Sequence, residues 1–307
     1  MPGDEPIAYM ERTRRYYHAL GYGPPYLWAN FKHVPFAPLT KVLAECRVAI
    51  VTTAAPYQPG KGDQGPGAKY NGDAKFYSVY DACSGYLPDL RISHVAIDRD
   101  HTTAEDIGGF FPLKALQHAA KQGRAGMAPK FYGLPTNRSQ TRTMHVDCQD
   151  LLARCLRDQV DAVVLVPNCP VCHQTMALAA RVLEENSIAT VIMGCARDIV
   201  EHVGAPRFLF SDFPLGNSAG RPNDPISQAQ TLNLALDLLE QAQESRTTWR
   251  SPQIWSGTSD WKRNYSNPDI LTAEELAVRR KEFDVAKVAA RKMRVQTQTK
   301  RLFEGRH

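Results

Sequence analysis

Short apolar runs alternate with amphipathic stretches along this chain, most clearly in its second half. Residues 47–53 (RVAIVTT) are β-branched and apolar and read as a buried strand. Further strands are expected at 76–79, 92–97, 162–166, 189–193 and 208–210. Helical spacing of apolar positions predicts helices over 111–122, 144–159, 171–186, 198–203 and 227–242, and a short helix is expected over 9–20 in a segment with no period of its own. In 144–159 the pattern is carried by Leu151, Leu152, Cys155 and Leu156. Strands alternating with helices of this length mean βαβ units, so the expected fold class is α/β with a parallel sheet, arranged as two similar lobes. Such sheets bind ligands beyond the carboxyl ends of their strands, near a topological switch point.

Four regions follow from this pattern. Residues 1–40 form an extended aromatic N-terminal segment, with Tyr16, Tyr17, Tyr22, Tyr26, Trp28, Phe31 and Phe36. Residues 41–140 make an N-terminal α/β lobe and 141–246 a C-terminal α/β lobe. Residues 247–307 are an extension ending in a basic helix. The long loop after 47–53 holds Gly60, Gly62, Gly65, Gly67 and Gly72, but not in the spacing of a dinucleotide fingerprint. Loops of that length are uncommon unless functional. In the extension, Thr272 and Glu275 form a capping box that starts a helix reaching about residue 300. Leu276, Phe283, Trp255 and Trp261 are expected to anchor this extension on a neighbouring subunit.

Composition sharpens the picture. With 307 residues, one large domain or two modest ones fit. The longest purely apolar runs are a few residues, against about 20 for a bilayer span, so no membrane helix is expected. The N-terminus is charged and aromatic without an apolar signal region, which points to a cytoplasmic protein. The net charge is +5, and residues 273–307 alone carry ten basic against five acidic groups. The rest of the chain is balanced, so nucleic acid is not an expected partner. Seven cysteines, an odd number in a long chain, argue against a disulfide scaffold. In a reducing compartment, paired cysteines read as catalytic or metal-binding.

The strongest chemical signal is V-P-N-C-P-V-C-H at 166–173. Cys169 lies in a strand-to-helix turn and Cys172 opens the helix, where the helix dipole favours a thiolate. The C-x-x-C spacing lets one thiol resolve a bond formed by the other. Cys169, Cys172, His173 and Cys195 could also surround zinc, but only one compact ligand pair is present, so no metal is assigned. His94, Asp98 and His101 fall in one segment and are candidates for proton transfer. Asn168 and His173 flank the pair, and Cys195 follows the expected strand 189–193. These three are candidate substrate contacts. In the loop after 208–210, Gly216, Asn217, Arg221 and Asn223 form a candidate carboxylate site, with backbone N–H groups and a guanidinium to receive an anion. Nothing separates a reactive Cys83 from an inert one.

Three segments carry a resemblance to a known family. They are the histidine–aspartate segment running into F-F-P-L-K-A-L, the V-P-N-C-P-V-C turn, and A-P-R-F-L-F-S-D-F-P-L-G-N-S-A-G-R-P-N-D-P. The chain resembles the selenoprotein B family of glycine, sarcosine, betaine and D-proline reductases, in a cysteine-containing form, over most of residues 9–240. The resemblance implies reductive cleavage of a C–N bond next to a carboxylate. It places Cys169 at the selenocysteine position and Cys172 at the following cysteine. A further cysteine of some members falls at Thr175 and is missing. The resemblance also implies a separate pyruvoyl subunit, while this chain supplies no such group.

The resulting expectation is a homo-oligomeric oxidoreductase without a bound cofactor. It acts on a small amino-acid- or betaine-like substrate and is re-reduced by a thioredoxin-like or low-molecular-weight thiol. Two rivals stand beside it. One is a cofactor-independent racemase or lyase using Cys169 and Cys195 as opposed acid and base. The other is a non-catalytic redox or assembly subunit.

Overall fold

The computed structural model describes residues 5–304, with side chains through residue 296. In chain order the elements are α1 (Tyr9–Ala19), β1 (Val48–Thr52), β2 (Ala55–Pro56), β3 (Tyr80–Cys83), β4 (Leu90–Arg91), α2 (Leu113–Lys121), β5 (Lys130–Gly133) and α3 (Gln140–Arg142). They continue with α4 (Cys148–Arg157), β6 (Ala162–Val166), α5 (Pro170–Glu185), β7 (Ala189–Gly194), α6 (Arg197–Val203) and β8 (Arg207–Phe210). The last are α7 (Pro225–Gln241), β9 (Thr247–Arg250), α8 (Trp261–Asn264) and α9 (Ala273–Glu304). Seven strands form one sheet in the order β3-β5-β1-β6-β7-β8-β9, and only β3 runs antiparallel to its neighbour. The expected parallel α/β architecture is therefore present. Strands from 41–140 and from 141–246 share this sheet.

The central strands are buried on both faces, which is why they read as continuous apolar runs. Alternate residues face opposite sides. In β6, Val163 and Leu165 pack with α4 and α5, while Val164 and Val166 pack with α2 and α7. From β1 the chain moves outward to β5, and from β6 it moves the other way to β7. The switch point is thus the crevice between the carboxyl ends of β1 and β6.

Helix α5 is buried over 14 of its 16 residues, polar ones included. Residues 26–37 cover its outer side and supply the missing partners. The Ala29 N–H donates to Gln174 Oε1 at 2.8 Å, Gln174 Nε2 donates to the Tyr26 hydroxyl at 2.5 Å, and Arg181 donates to the His33 carbonyl at 2.6 Å. The Glu184 carboxylate meets Arg207 at 2.8 Å with both side chains fully buried. Among the described residues, no helix is long and apolar enough to cross a membrane.

Several expected elements move. Residues 76–79 are not a strand; pairing with β5 sets in only at Tyr80, whose partner is Gly133. A Cβ at Gly133 would lie 1.8 Å from the Tyr80 ring, so the strand register depends on that glycine. Residues 92–97 are not a strand either. Only Leu90 and Arg91 find a partner, in β2, and the chain then turns so that the Asp98 N–H reaches the Leu215 carbonyl at 2.9 Å. The helix expected from 144 opens as a π-turn over Thr143–Asp147 before α4. The capping box at Thr272 and Glu275 forms, with reciprocal bonds of 2.8 and 3.2 Å.

The aromatic anchors of the extension find partners within this chain. Phe283 packs on Tyr17 and Tyr22, Trp255 on Phe213, and Trp261 is buried in the main core. Helix α9 also fastens the glycine-rich loop. A Cβ at Gly72 would lie 2.8 Å from the Ala286 carbonyl oxygen, Tyr77 donates to the Ala290 carbonyl at 3.0 Å, and Lys69 pairs with Glu282 at 2.8 Å.

Candidate active site

Cys169 is the N-cap of α5, in extended conformation, with Pro170 in the first helical position. Proline there lacks an N–H the helix could not use, and its ring fixes the turn. The Cys169 sulfur accepts the Cys172 N–H at 3.3 Å, and the two sulfurs lie 2.6 Å apart. The pair stands at the switch point. Asn168 Nδ2 spans it, donating to the Thr53 hydroxyl beyond β1 at 3.2 Å. Thr136, beyond β5, donates to the Cys172 sulfur at 3.4 Å. Cys169 keeps 5% exposure and Cys172 none, so Cys169 is the residue nearer the surface.

His94 completes the cluster. One of its ring nitrogens and the two sulfurs all lie within 4.8 Å of one another, and all three residues are buried. Arg99 holds the His94 turn by donating to the carbonyls of His94, Val95 and Ala68 at 2.7, 3.0 and 2.9 Å. Burial by itself raises both thiols. For Cys172 that rise is overcome by hydrogen bonding from Cys169 and by His94 and Thr136, and its thiol lies well below the ordinary value. Cys169 is raised by burial and by the neighbouring Cys172 charge. The pair thus gives up one proton readily and the second with difficulty.

Lys75, in the glycine-rich loop, supplies a cation that sequence reasoning missed. Burial lowers its ammonium, and the charges of Cys169 and Cys172 act to raise it. It lies 5.9 Å from the centre of the Tyr77 ring. Among the described residues no carboxylate pairs with it. Its only sequence signal was its place in an unusually long loop.

The other candidates separate into distinct groups. His173 is fully buried and holds the turns together. Its Nε2 accepts the N–H groups of Cys195 and Ala196 at 2.9 and 3.2 Å, so its Nδ1 carries the proton and donates to the Cys169 carbonyl at 2.8 Å. Burial lowers its pKa to about 4. Cys195 is linked to the pair through His173. Its sulfur is 3.8 Å from the Ser218 hydroxyl, and burial pushes its thiol up to about 12. The quartet Cys169, Cys172, His173 and Cys195 therefore does not form a metal site; both accepting and donating nitrogens of His173 are spent on backbone.

Asp98 and His101 form their own pair, at 2.9 Å, in which burial raises the carboxyl. In the 216–223 loop, Gly216 has φ +107°, and Asn217 bonds the Thr102 hydroxyl and the Pro214 carbonyl at 3.2 and 3.0 Å. Arg221 is paired with Asp224 at 2.8 Å, and the Asn223 N–H donates to Asp106 at 2.7 Å. These bonds tie the start of α7 to residues 102–110. Cys83 is exposed at the end of β3.

Comparison with known proteins yields one relationship to report. The chain is 29% identical over 209 residues to the D-proline reductase subunit gamma of Acetoanaerobium sticklandii, a match covering 67% of this chain and 79% of that protein. No protein-family model and no solved structure matches it.

Proposed function

We propose that this chain is an oxidoreductase subunit that cleaves a C–N bond reductively in a small amino-acid- or betaine-like carboxylate. The observation that carries this reading is the pair of sulfurs 2.6 Å apart at the N-terminus of a buried helix, at the sheet's switch point. The similarity to a D-proline reductase subunit supports it. Cys169, the less buried of the two, passes its proton to the neighbouring Cys172 thiolate as it attacks the carbon next to the carboxylate, and the electrons of the C–N bond leave with nitrogen. Cys172 then attacks the Cys169 sulfur and releases the carbon, so that two thiols become one disulfide. The two electrons and two protons they give up end on the broken bond, one proton on carbon and one on nitrogen. A disulfide needs about 2.05 Å between sulfurs, a sub-ångström change from the separation here.

Lys75 is the natural counter-ion for the substrate carboxylate, because its charge already acts on both sulfurs and has no described carboxylate partner. An amine is a poor leaving group, so the reading includes a separate pyruvoyl-bearing subunit to activate it. A thioredoxin-like or small thiol reductant reopens the disulfide. His94, close to the sulfurs, is the proton carrier in this scheme. His173 positions the turn and does not titrate near neutrality.

Iodoacetate tests this reading directly, since it presents a carboxylate beside a carbon with a leaving group. Iodoacetamide is the neutral control. Peptide mapping should show an adduct on Cys169 besides the one on exposed Cys83, with the iodoacetate-to-iodoacetamide rate ratio at Cys169 above that of free glutathione. The ratio should fall several-fold in Lys75→Gln and recover in Lys75→Arg. Mild oxidation should yield a Cys169–Cys172 disulfide. An unreactive Cys169 that forms no disulfide would overturn the thiol chemistry. An unchanged ratio in Lys75→Gln would overturn the carboxylate assignment alone.

A further inference from the structure

We infer that the reduced His94–Cys169–Cys172 cluster is a binding site for one soft divalent cation of the zinc class. The argument starts from donor type. Two sulfurs and an imidazole nitrogen, all within 4.8 Å of one another, make a donor set with no oxygen. Thiolate and imidazole select zinc, cadmium or cobalt over calcium and magnesium, which require oxygen ligands.

The geometry needs only small changes. Zinc bonds of about 2.3 Å to sulfur and about 2.0 Å to nitrogen put tetrahedral ligand atoms roughly 3.5–3.8 Å apart. The sulfurs must open by about 1 Å from 2.6 Å, and the imidazole need close by no more than about 1.3 Å. Rotation of the Cys169 side chain at the helix cap supplies the first movement. His94 Nδ1 is buried without a hydrogen-bond partner, so the ring is not locked by a second bond.

Outer contacts of the kind that orient metal ligands are already present. Thr136 donates to the Cys172 sulfur, the Cys172 N–H to the Cys169 sulfur, and Arg99 to the carbonyl of His94. Three protein ligands leave a fourth position for water or a small anion.

Binding replaces thiol protons by the cation, with no change in oxidation state. Metal and disulfide therefore exclude each other, and a metal-loaded chain is protected from oxidation and unable to attack carbon. This site does not depend on the proposed reaction, since any reduced state of the pair offers the same donors.

The test uses the full chain, reduced and freed of metal, titrated with cadmium while the ultraviolet thiolate-to-cadmium charge-transfer band is followed. One equivalent should saturate the band. Wild-type protein oxidised to the Cys169–Cys172 disulfide should show none, and this control needs no variant to fold. Cys83→Ser should bind as the wild type does. His94→Gln should weaken binding at least about tenfold, in line with the losses seen when metal surroundings are disturbed. Bound cadmium should block alkylation of Cys169, and a chelator should restore it. A band that persists in the oxidised protein would overturn the site. So would failure to bind cadmium while both thiols remain titratable. An unchanged affinity in His94→Gln would overturn the three-ligand assignment.

Discussion

His173 offers the sharpest check on how the site is held. Its ring is neutral and fully buried, accepting two backbone N–H groups and donating to the Cys169 carbonyl. Protonation would turn the accepting Nε2 into a donor facing two other donors. The folded-state value of about 4 lies below the 6.5 of an ordinary histidine, so the unfolded chain takes up the proton first as pH falls. Stability from this residue is therefore complete above pH 6.5 and is lost as pH falls towards 4. The full loss is about 3 kcal/mol, and about 2 kcal/mol of it falls between pH 7 and pH 5. The assay is urea unfolding at several pH values with a chelator and reductant present, on the wild type and on His173→Gln. Glutamine keeps a donor and an acceptor but does not titrate. The stability gap between the two proteins should narrow by about 2 kcal/mol from pH 7 to pH 5. A gap independent of pH, or an NMR titration of this ring near 6.5, would refute the reasoning.

Three further outcomes follow from packing. In native protein, alkylation should label exposed Cys83 and then Cys169, while Cys155 and Cys195, both pushed up to about 12 by burial, stay silent until unfolding; quantitative mass mapping decides, and Cys195 labelling as fast as Cys83 would contradict the burial argument. Gly133→Ala would press a methyl group into the Tyr80 ring and should cost about 2–3 kcal/mol in chemical denaturation, with wild-type stability counting against the β3–β5 register. Removing residues 273–307 should expose the 57–79 loop to limited proteolysis and leave the solution mass per assembly unchanged, because Phe283 of that tail packs on the chain's own Tyr17 and Tyr22 and its Ala290 carbonyl accepts from Tyr77. An intact loop after truncation would break this link.

What could be read from the residues depended on whether the signal was local. Strands β6, β7 and β8 are buried on both faces and announce themselves as apolar runs, and the helices between them follow from spacing. β5 and β9, K-F-Y-G and T-T-W-R, are short and mixed in character; they are strands because neighbours pair with them. The same nonlocal rule shifted 76–79 and 92–97. In the site, Cys169 and Cys172 were legible because turn, cap and nucleophile sit within four residues. His94 was singled out, but its place beside the sulfurs depends on a turn fixed by Arg99. Lys75 and Thr136 come from segments with no motif of their own. Arg221 looked free in sequence and is engaged by Asp224 three residues on.

The hold of α9 on the 57–79 loop ties the site to the timetable of synthesis. The thiol pair leaves the ribosome about 120 residues before Ala290 and Met293, which complete that hold. At usual elongation rates the interval lasts on the order of 6–25 s. During it, Cys169 and Cys172 can occupy their turn while the loop carrying Lys75 still lacks its fastening. A nascent chain in that window carries its dithiol turn before the Lys75 loop is fastened, and α9 is the element that completes the fastening.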